Sequence, residues 1–226
     1  MDRKALVIGA TGLIGRNLVF ELLKSNHYSS VTVFARRDIV IKHEKLHQIL
    51  LDFDEIENHK RYIFVDDVFC CLGSTKAKTP DPISYRKIDY DYPLLVAKIA
   101  KEQGATQYVL VSSMGANKES SIFYSRLKGE IEDAIAKLNY ASYSIVRPSL
   151  LLGTRNESRP LETISQYLMR VLNPLFIGPL KLYKAIDGYV VAKAILVLAK
   201  KNAAGRYTYL NNQLFNLVKE QASTEA

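Results

Sequence analysis

Tyr124-Ser-Arg-Leu-Lys128 sets a phenol and an ammonium four residues apart, on one face of a helix and about a turn from each other. A tyrosine alone titrates near pH ~10, and a neighbouring cation favours its phenolate, bringing the group toward what proton transfer at neutral pH requires. Shortly before the pair, Tyr108-Val-Leu-Val111 runs into Ser112-Ser113-Met114-Gly115. A strand ending there delivers hydroxyls to the carboxyl edge of a parallel sheet, the edge along which ligands bind.

A second constellation opens the chain. Lys4-Ala-Leu-Val-Ile-Gly9 reads as a buried strand, and Gly9, Gly12 and Gly15 punctuate Gly9-Ala10-Thr11-Gly12-Leu13-Ile14-Gly15 at three-residue spacing. Such glycines permit a tight turn, close backbone approach to a pyrophosphate and close helix–strand packing, while the helix start offers N–H groups and a positive dipole. The next strand ends in Val33-Phe34-Ala35-Arg36-Arg37, near where an NAD site usually places a carboxylate on the ribose 2′-hydroxyl. A guanidinium forks instead onto a 2′-phosphate, so Arg36 and Arg37 favour NADP(H) over NAD(H). Asp38 offers a competing carboxylate for the ribose.

The elements that must position these groups follow from alternation. Ala5 to Ile8, Leu13 to Leu23 and Val31 to Phe34 form a βαβ unit. Further strands are expected at Gln48–Leu51, Val68–Leu72, Tyr108–Val111 and Tyr143–Val146, with helices around Pro93–Glu102, closed by Gly104, and Tyr124–Leu138. This predicts an α/β fold, a Rossmann-type doubly wound parallel sheet in a single domain over 1–226. Past Pro148 come loops, then an apolar helix at Val190–Leu198 and a strand-like piece at Tyr207–Leu210. Residues from about 150 to 226 are expected to form a small substrate-side cap.

Composition narrows the function classes. Hydrophobic residues make up 48% and charged ones 24%, ample for a folded core. Lys and Arg outnumber Asp and Glu by 31 to 23, a net charge of +8, which invites anionic partners. The longest basic runs are pairs, so no nucleic-acid patch is visible and direct nucleic-acid binding is not expected. The apolar stretch behind Arg3 and Lys4 is broken by Gly9, Gly12 and Gly15, unlike a secretory signal. No run approaches the ~18 uncharged apolar residues of a membrane helix. The two cysteines, Cys70 and Cys71, are adjacent within an apolar strand, which excludes a disulfide framework and fits a reducing cytoplasm.

With glycine turn, serine after a strand and Tyr-x-x-x-Lys in this order, the sequence resembles the short-chain dehydrogenase/reductase superfamily. Cys70-Cys-Leu-Gly-Ser-Thr75, Ser112-Ser-Met-Gly-Ala116, Tyr124 to Gly129, Val146-Arg-Pro148 and Glu157-Ser-Arg-Pro160 look more narrowly like its atypical, NmrA-like, Tat-interacting-protein branch, over nearly the whole chain. The resemblance implies that Tyr124 donates or accepts the proton, Lys128 binds the nicotinamide ribose, and Ser113 orients the substrate oxygen, with Ser112 as the alternative serine. It further implies that Cys71-Leu72-Gly73 passes under the cofactor, Arg147 to Leu152, including Pro148, Leu150 and Leu151, lines its nicotinamide end, Arg159 reaches it, and Asp52 and Phe53 flank the adenine. Standard members add an asparagine in the helix before the serine strand, and Tyr90 to Gln103 contains none. Proton delivery then needs another route, such as water along the lysine.

His43-Glu44-Lys45-Leu46-His47 matches a zinc pattern that requires a continuous helix. Here it runs directly into the strand at Gln48, so no metal is expected. The sequence therefore predicts an NADP(H)-dependent oxidoreductase acting on an unidentified small-molecule carbonyl or alcohol. The alternative, implied by a mammalian family member, is a non-catalytic cofactor-binding regulator with a protein partner. A homodimer stays open, and a transient-redox epimerase is disfavoured because sugar-nucleotide enzymes carry a larger C-terminal substrate domain.

Overall fold

The computed structural model describes residues 2–152 and 184–224. Its strands are β1 (Arg3–Ile8), β2 (Tyr28–Ala35), β3 (Leu46–Leu50), β4 (Asp67–Cys70), β5 (Gln107–Val111), β6 (Ser142–Arg147), β7 (Leu151–Leu152), β8 (Ile186–Asp187) and β9 (Gly205–Leu210). The helices are α1 (Leu13–Lys24), α2 (Pro82–Arg86), α3 (Tyr92–Glu102), α4 (Phe123–Ala136), α5 (Gly188–Lys201) and α6 (Asn211–Thr224). A 3₁₀ run spans Phe53–Ile63, and a π turn at Lys87–Asp91 joins α2 to α3.

Seven strands form one parallel sheet in the order β3-β2-β1-β4-β5-β6-β9. The chain winds outward from β1 through β2 to β3, then returns to β4 on the other side of β1. That reversal opens a crevice beyond the carboxyl ends of β1 and β4, where ligands of such sheets bind.

Strand periodicity divides the core. Ala5 and Val7 of β1 face one helical layer with Leu18, Leu22, Val191 and Ile195, whereas Leu6 and Ile8 face the other with Ile56, Val96, Ile131 and Ile135. Adjacent Cys70 and Cys71 likewise go to opposite faces, and burial pushes both thiols above their ordinary range. Helix α3 closes on Gly104 as the sequence suggests, with Gly104 N–H donating to Lys101 O at 3.1 Å and Ala105 N–H to Ala100 O at 2.9 Å.

The described part of the chain's end, within the stretch expected as a cap, joins the sheet domain. Helix α5 packs on α1, and β9 pairs with β6 from Ser142↔Gly205 to Arg147↔Leu210 as the sheet's seventh strand. The cause lies in α5 itself: Val191, Ala192, Ala194, Ile195, Leu196, Val197, Leu198 and Ala199 are all buried. A helix so widely apolar must be covered on more than one side, and it is, by the sheet, α1 and α6. Residues 184–224 therefore complete the sheet domain. Residues 153–183, with the Glu157–Pro160 motif and Arg159, lie outside the described residues.

Candidate functional site

The glycine turn joins β1 to α1 at the crevice. Gly9 has φ +84°, and a Cβ there would sit 2.4–2.5 Å from the backbone of Cys71 and Leu72, so only glycine lets the turn pass against the end of β4. Gly12 N–H donates to Gly9 O at 3.0 Å, and Gly15 lies against that same carbonyl. Gly12 is the N-cap of α1 and offers no side-chain cap, and the first helical turn holds no acidic residue. The amides at Leu13, Ile14 and Gly15 thus begin a helix with no carboxylate in its own first turn to offset its positive end, with Thr11 exposed beside them. These residues fit a diphosphate.

Cys71-Leu72-Gly73 connects this turn to the acid–base pair. At one end its backbone touches Gly9. At the other, a Cβ on Gly73 would lie 3.4 Å from Asp89 Oδ1 and 3.5 Å from Lys128 Nζ. The two constellations found in the sequence are therefore one continuous site.

Tyr124 sits in the first turn of α4, 39% exposed, while Lys128 one turn later is buried with its Nζ 6.0 Å from the Tyr124 ring centroid. Lys128 pairs with buried Asp89 at 2.8 Å. Burial pulls the Lys128 ammonium down, but Asp89 and the neighbouring phenol outweigh it and hold it above the ordinary lysine range. The loop after β5 is fastened to the same helix: Asn117 N–H donates to Ser125 O at 2.9 Å, and Gly129 leaves room for the Asn117–Lys118 backbone. That loop carries Ser113, whose Oγ is buried and without a hydrogen-bond partner among the described residues.

Several residues expected at the cofactor make contacts within the protein. Ser112 Oγ donates to Glu132 Oε1 at 2.5 Å, and Arg147 binds the same carboxylate through Nε at 3.0 Å and Nη2 at 2.5 Å. Buried Glu132 of α4 thus withdraws both side chains from the ligand edge, because two charge-assisted contacts to a carboxylate out of water outweigh exposure to a crevice. Pro148 O accepts Met114 N–H at 3.1 Å and so ties β6 to the serine loop; Leu150 is exposed and Leu151 packs on the core. Phe53 is buried with its ring 5.5 Å from Tyr92, and Asp52 caps the 3₁₀ run by accepting Asp54 N–H at 3.0 Å. Arg36 and Arg37 are exposed past β2, and Asp38 is engaged by Val40 N–H at 2.7 Å. Residues 43–47 run through a turn into β3, with His43 Nδ1 accepting Lys45 N–H at 3.2 Å. No group of three side chains that could ligate a metal occurs among the described residues.

A family model described as NAD(P)H-binding matches residues 9–166. The chain belongs to that family. This NAD(P)H-binding protein is 35% identical over 169 residues to Protein HTATIP2 of Rattus norvegicus, which covers 73% of this chain and 69% of that one. It is 36% identical over 206 residues to Protein FMP52, mitochondrial, of Candida albicans, covering 88% and 89% of the two chains. These relatives place it in the atypical short-chain reductase branch. Among solved structures it resembles Bordetella bronchiseptica enzyme WbmH in complex with NAD+, with a TM-score of 0.70, 16% identity and coverage of 92% and 75%. UDP-glucose 4-epimerase of Thermotoga maritima matches with TM-score 0.70, 17% identity and coverage of 99% and 84%. Both likenesses concern the fold. Among the described residues no helix of this NAD(P)H-binding protein is long and apolar enough to cross a membrane.

Two site residues escaped sequence reasoning. Glu132 sits eight residues after Tyr124 on the same helix, and its spacing from Lys128 was a legible signal that a carboxylate shares this face. Asp89 lies in Lys87-Ile-Asp-Tyr-Asp91, just before the Tyr90–Gln103 segment that lacks an asparagine, and only the fold reveals that it meets Lys128.

Proposed function

We propose that this protein is an NADP(H)-dependent oxidoreductase of a carbonyl or alcohol, with Tyr124 as general acid–base. The observation that carries this reading is Ser113 Oγ, buried and, among the described residues, uncommitted on the loop fastened to α4. A buried hydroxyl left without a partner costs stability, and a substrate oxygen at this edge satisfies it.

A nicotinamide cofactor held along the glycine turn would supply or accept the hydride. Ser113 donates a hydrogen bond to the substrate oxygen, and Tyr124, at the open face of the site, passes a proton to it in reduction or takes one in oxidation. Lys128, charged and fixed beneath, serves the nicotinamide ribose and the phenol together. Preference for NADP(H) is supported by exposed Arg36 beyond β2 and by the prior engagement of Asp38 with Val40. The two thiols without disulfide support a reducing compartment, the cytoplasm in this proposal; relatives named mitochondrial make the mitochondrion the comparison for a fluorescent fusion.

Substituting Tyr124→Phe tests the proposal. NADPH-dependent reduction of a panel of aromatic aldehydes and ketones should fall by about 10²–10⁴-fold, while NADPH affinity, read by nucleotide fluorescence, stays nearly constant. Wild-type protein that binds NADPH yet turns over nothing supports the second reading, a cofactor-occupancy regulator. Partner binding by a regulator survives Tyr124→Phe.

A further inference from the structure

Asp89 is 1% exposed in the π turn between α2 and α3, and such turns accumulate at functional sites. Both its oxygens face the site: Oδ1 lies 2.8 Å from Lys128 Nζ, and Oδ2 accepts Ser74 N–H at 2.6 Å. Ser74 O accepts from Tyr85 OH at 2.9 Å, and the Tyr85 ring meets the Tyr124 ring edge-on with centroids 6.5 Å apart. The contacts close a circuit from Tyr124 through Lys128, Asp89, Ser74 and Tyr85 back to Tyr124.

We propose that Asp89 is the positioning residue of this site, holding the Lys128 ammonium and the Gly73–Ser74 backbone in one buried unit beneath Tyr124. What Lys128 serves rests on the oxidoreductase reading; that Asp89 holds it does not. An ammonium this deeply buried is costly without a counter-charge and loses its proton or leaves the site. The titratable groups facing Lys128 are Asp89 from the π turn, Cys70 from β4, Tyr85 from α2 and Tyr124 from its own helix. Asp89 is the one carboxylate among them. Burial raises the Cys70 thiol and the Tyr85 phenol, so neither supplies a negative charge at neutral pH. Asp89 also spans two segments that the chain brings together only by folding, the loop after β4 and helix α4. It thereby links the end of the phosphate turn's partner strand to the proton-transferring pair.

The test is titration of Lys128 by ¹³Cε NMR of labelled lysine, its resonance assigned by loss in Lys128→Arg. In wild type the signal should remain that of an ammonium beyond the ordinary lysine value of about 10.4. In Asp89→Asn, which keeps the shape and removes the charge, Lys128 stays buried and should titrate below that value. With an aldehyde that the wild type reduces, kcat in Asp89→Asn should fall about 10–100-fold through misplacement of the pair, with KM and NADPH affinity nearly unchanged. An unaltered Lys128 titration in Asp89→Asn overturns the proposal, as does wild-type Lys128 deprotonating within the ordinary range. The wild-type measurement decides alone if the variant does not fold. Absence of turnover in wild type ends the oxidoreductase reading, and the Lys128 titration still decides on Asp89.

Discussion

Ser112 and Ser113 leave the same strand and meet opposite demands. Ser112 is held by Glu132, whereas Ser113 Oγ is enclosed without a partner among the described residues. Ser113→Ala should therefore cost turnover about 10²–10³-fold, as loss of one donor to a reacting oxygen does, with little change in unfolding free energy. Ser112→Ala should do the reverse, removing about 1–3 kcal/mol in urea unfolding by stripping a buried carboxylate of a donor, while NADPH affinity holds. Equal kinetic effects from the two substitutions contradict this division. At the far end of the site, Arg36→Ala should weaken NADPH by about 10–100-fold, the worth of a charge-assisted contact to phosphate, and leave NADH binding unchanged, a comparison made by fluorescence titration. The serines show where sequence reading stops. Strand and turn place both hydroxyls at the ligand edge, yet what separates them is Glu132, twenty residues on and reached only through the packing of α4. Arg147 is a parallel case: the family resemblance puts it at the nicotinamide end, and its pairing with buried Glu132 is visible only in the fold.

Helix α1 and its turn show an element whose function is fixed by its neighbours on both sides. Gly9 at φ +84° presses on the backbone of Cys71, and a Cβ on Gly188 would lie 2.6 Å from Leu13 Cγ, so α5 abuts the start of α1 opposite the ligand side. Gly9→Ala adds a left-handed residue, costing about 1–2 kcal/mol, and forces the turn away from β4. The expected result is a lowered Tm together with loss of NADPH binding, checked by thermal unfolding with and without nucleotide; a variant that retains full nucleotide-induced stabilisation contradicts the role given to the turn. The strand–turn–helix was legible because all its signals are local: an apolar run, glycines at fixed spacing, then an amphipathic stretch. Helix α5 was legible as a helix but not as part of this layer. Apolar composition tells that a surface is buried without naming what buries it, and its partner α1 lies nearly the whole chain length away.

At the scale of the molecule, the sheet's two edges have different chemistry. The carboxyl edge holds the crevice. The amino edge is closed by polar contacts, with Arg3 Nε donating to Asp67 Oδ2 at 2.9 Å, Tyr28 OH donating to the same oxygen at 2.7 Å, and Arg3 Nη2 on the carboxylate's other oxygen. Beside them His27 packs edge-on to Tyr28 at 4.9 Å with its Nε2 buried and no hydrogen-bond partner among the described residues. Burial lowers the His27 pKa, with the Arg3 and Lys200 charges assisting and Asp67 opposing. The unfolded chain takes up this proton near the ordinary value of about 6.5, while the folded one resists it to lower pH. Between those values the unfolded state binds more protons, so stability must fall as pH drops from neutrality toward 5. The carboxylates with depressed pKa act in a different window. Asp54 is held down by Tyr92 and Lys87, Asp81 by Ser84, and Asp133 by Lys118; each contributes stability above its ordinary value, which is lost only as pH falls through the still lower folded one. Thermal unfolding between pH 7 and pH 5 therefore isolates the histidine contribution. His27→Gln, which removes the titrating ring, should flatten the dependence of Tm on pH across that interval, and a slope as steep as in the wild type would show that the buried imidazole is not its source.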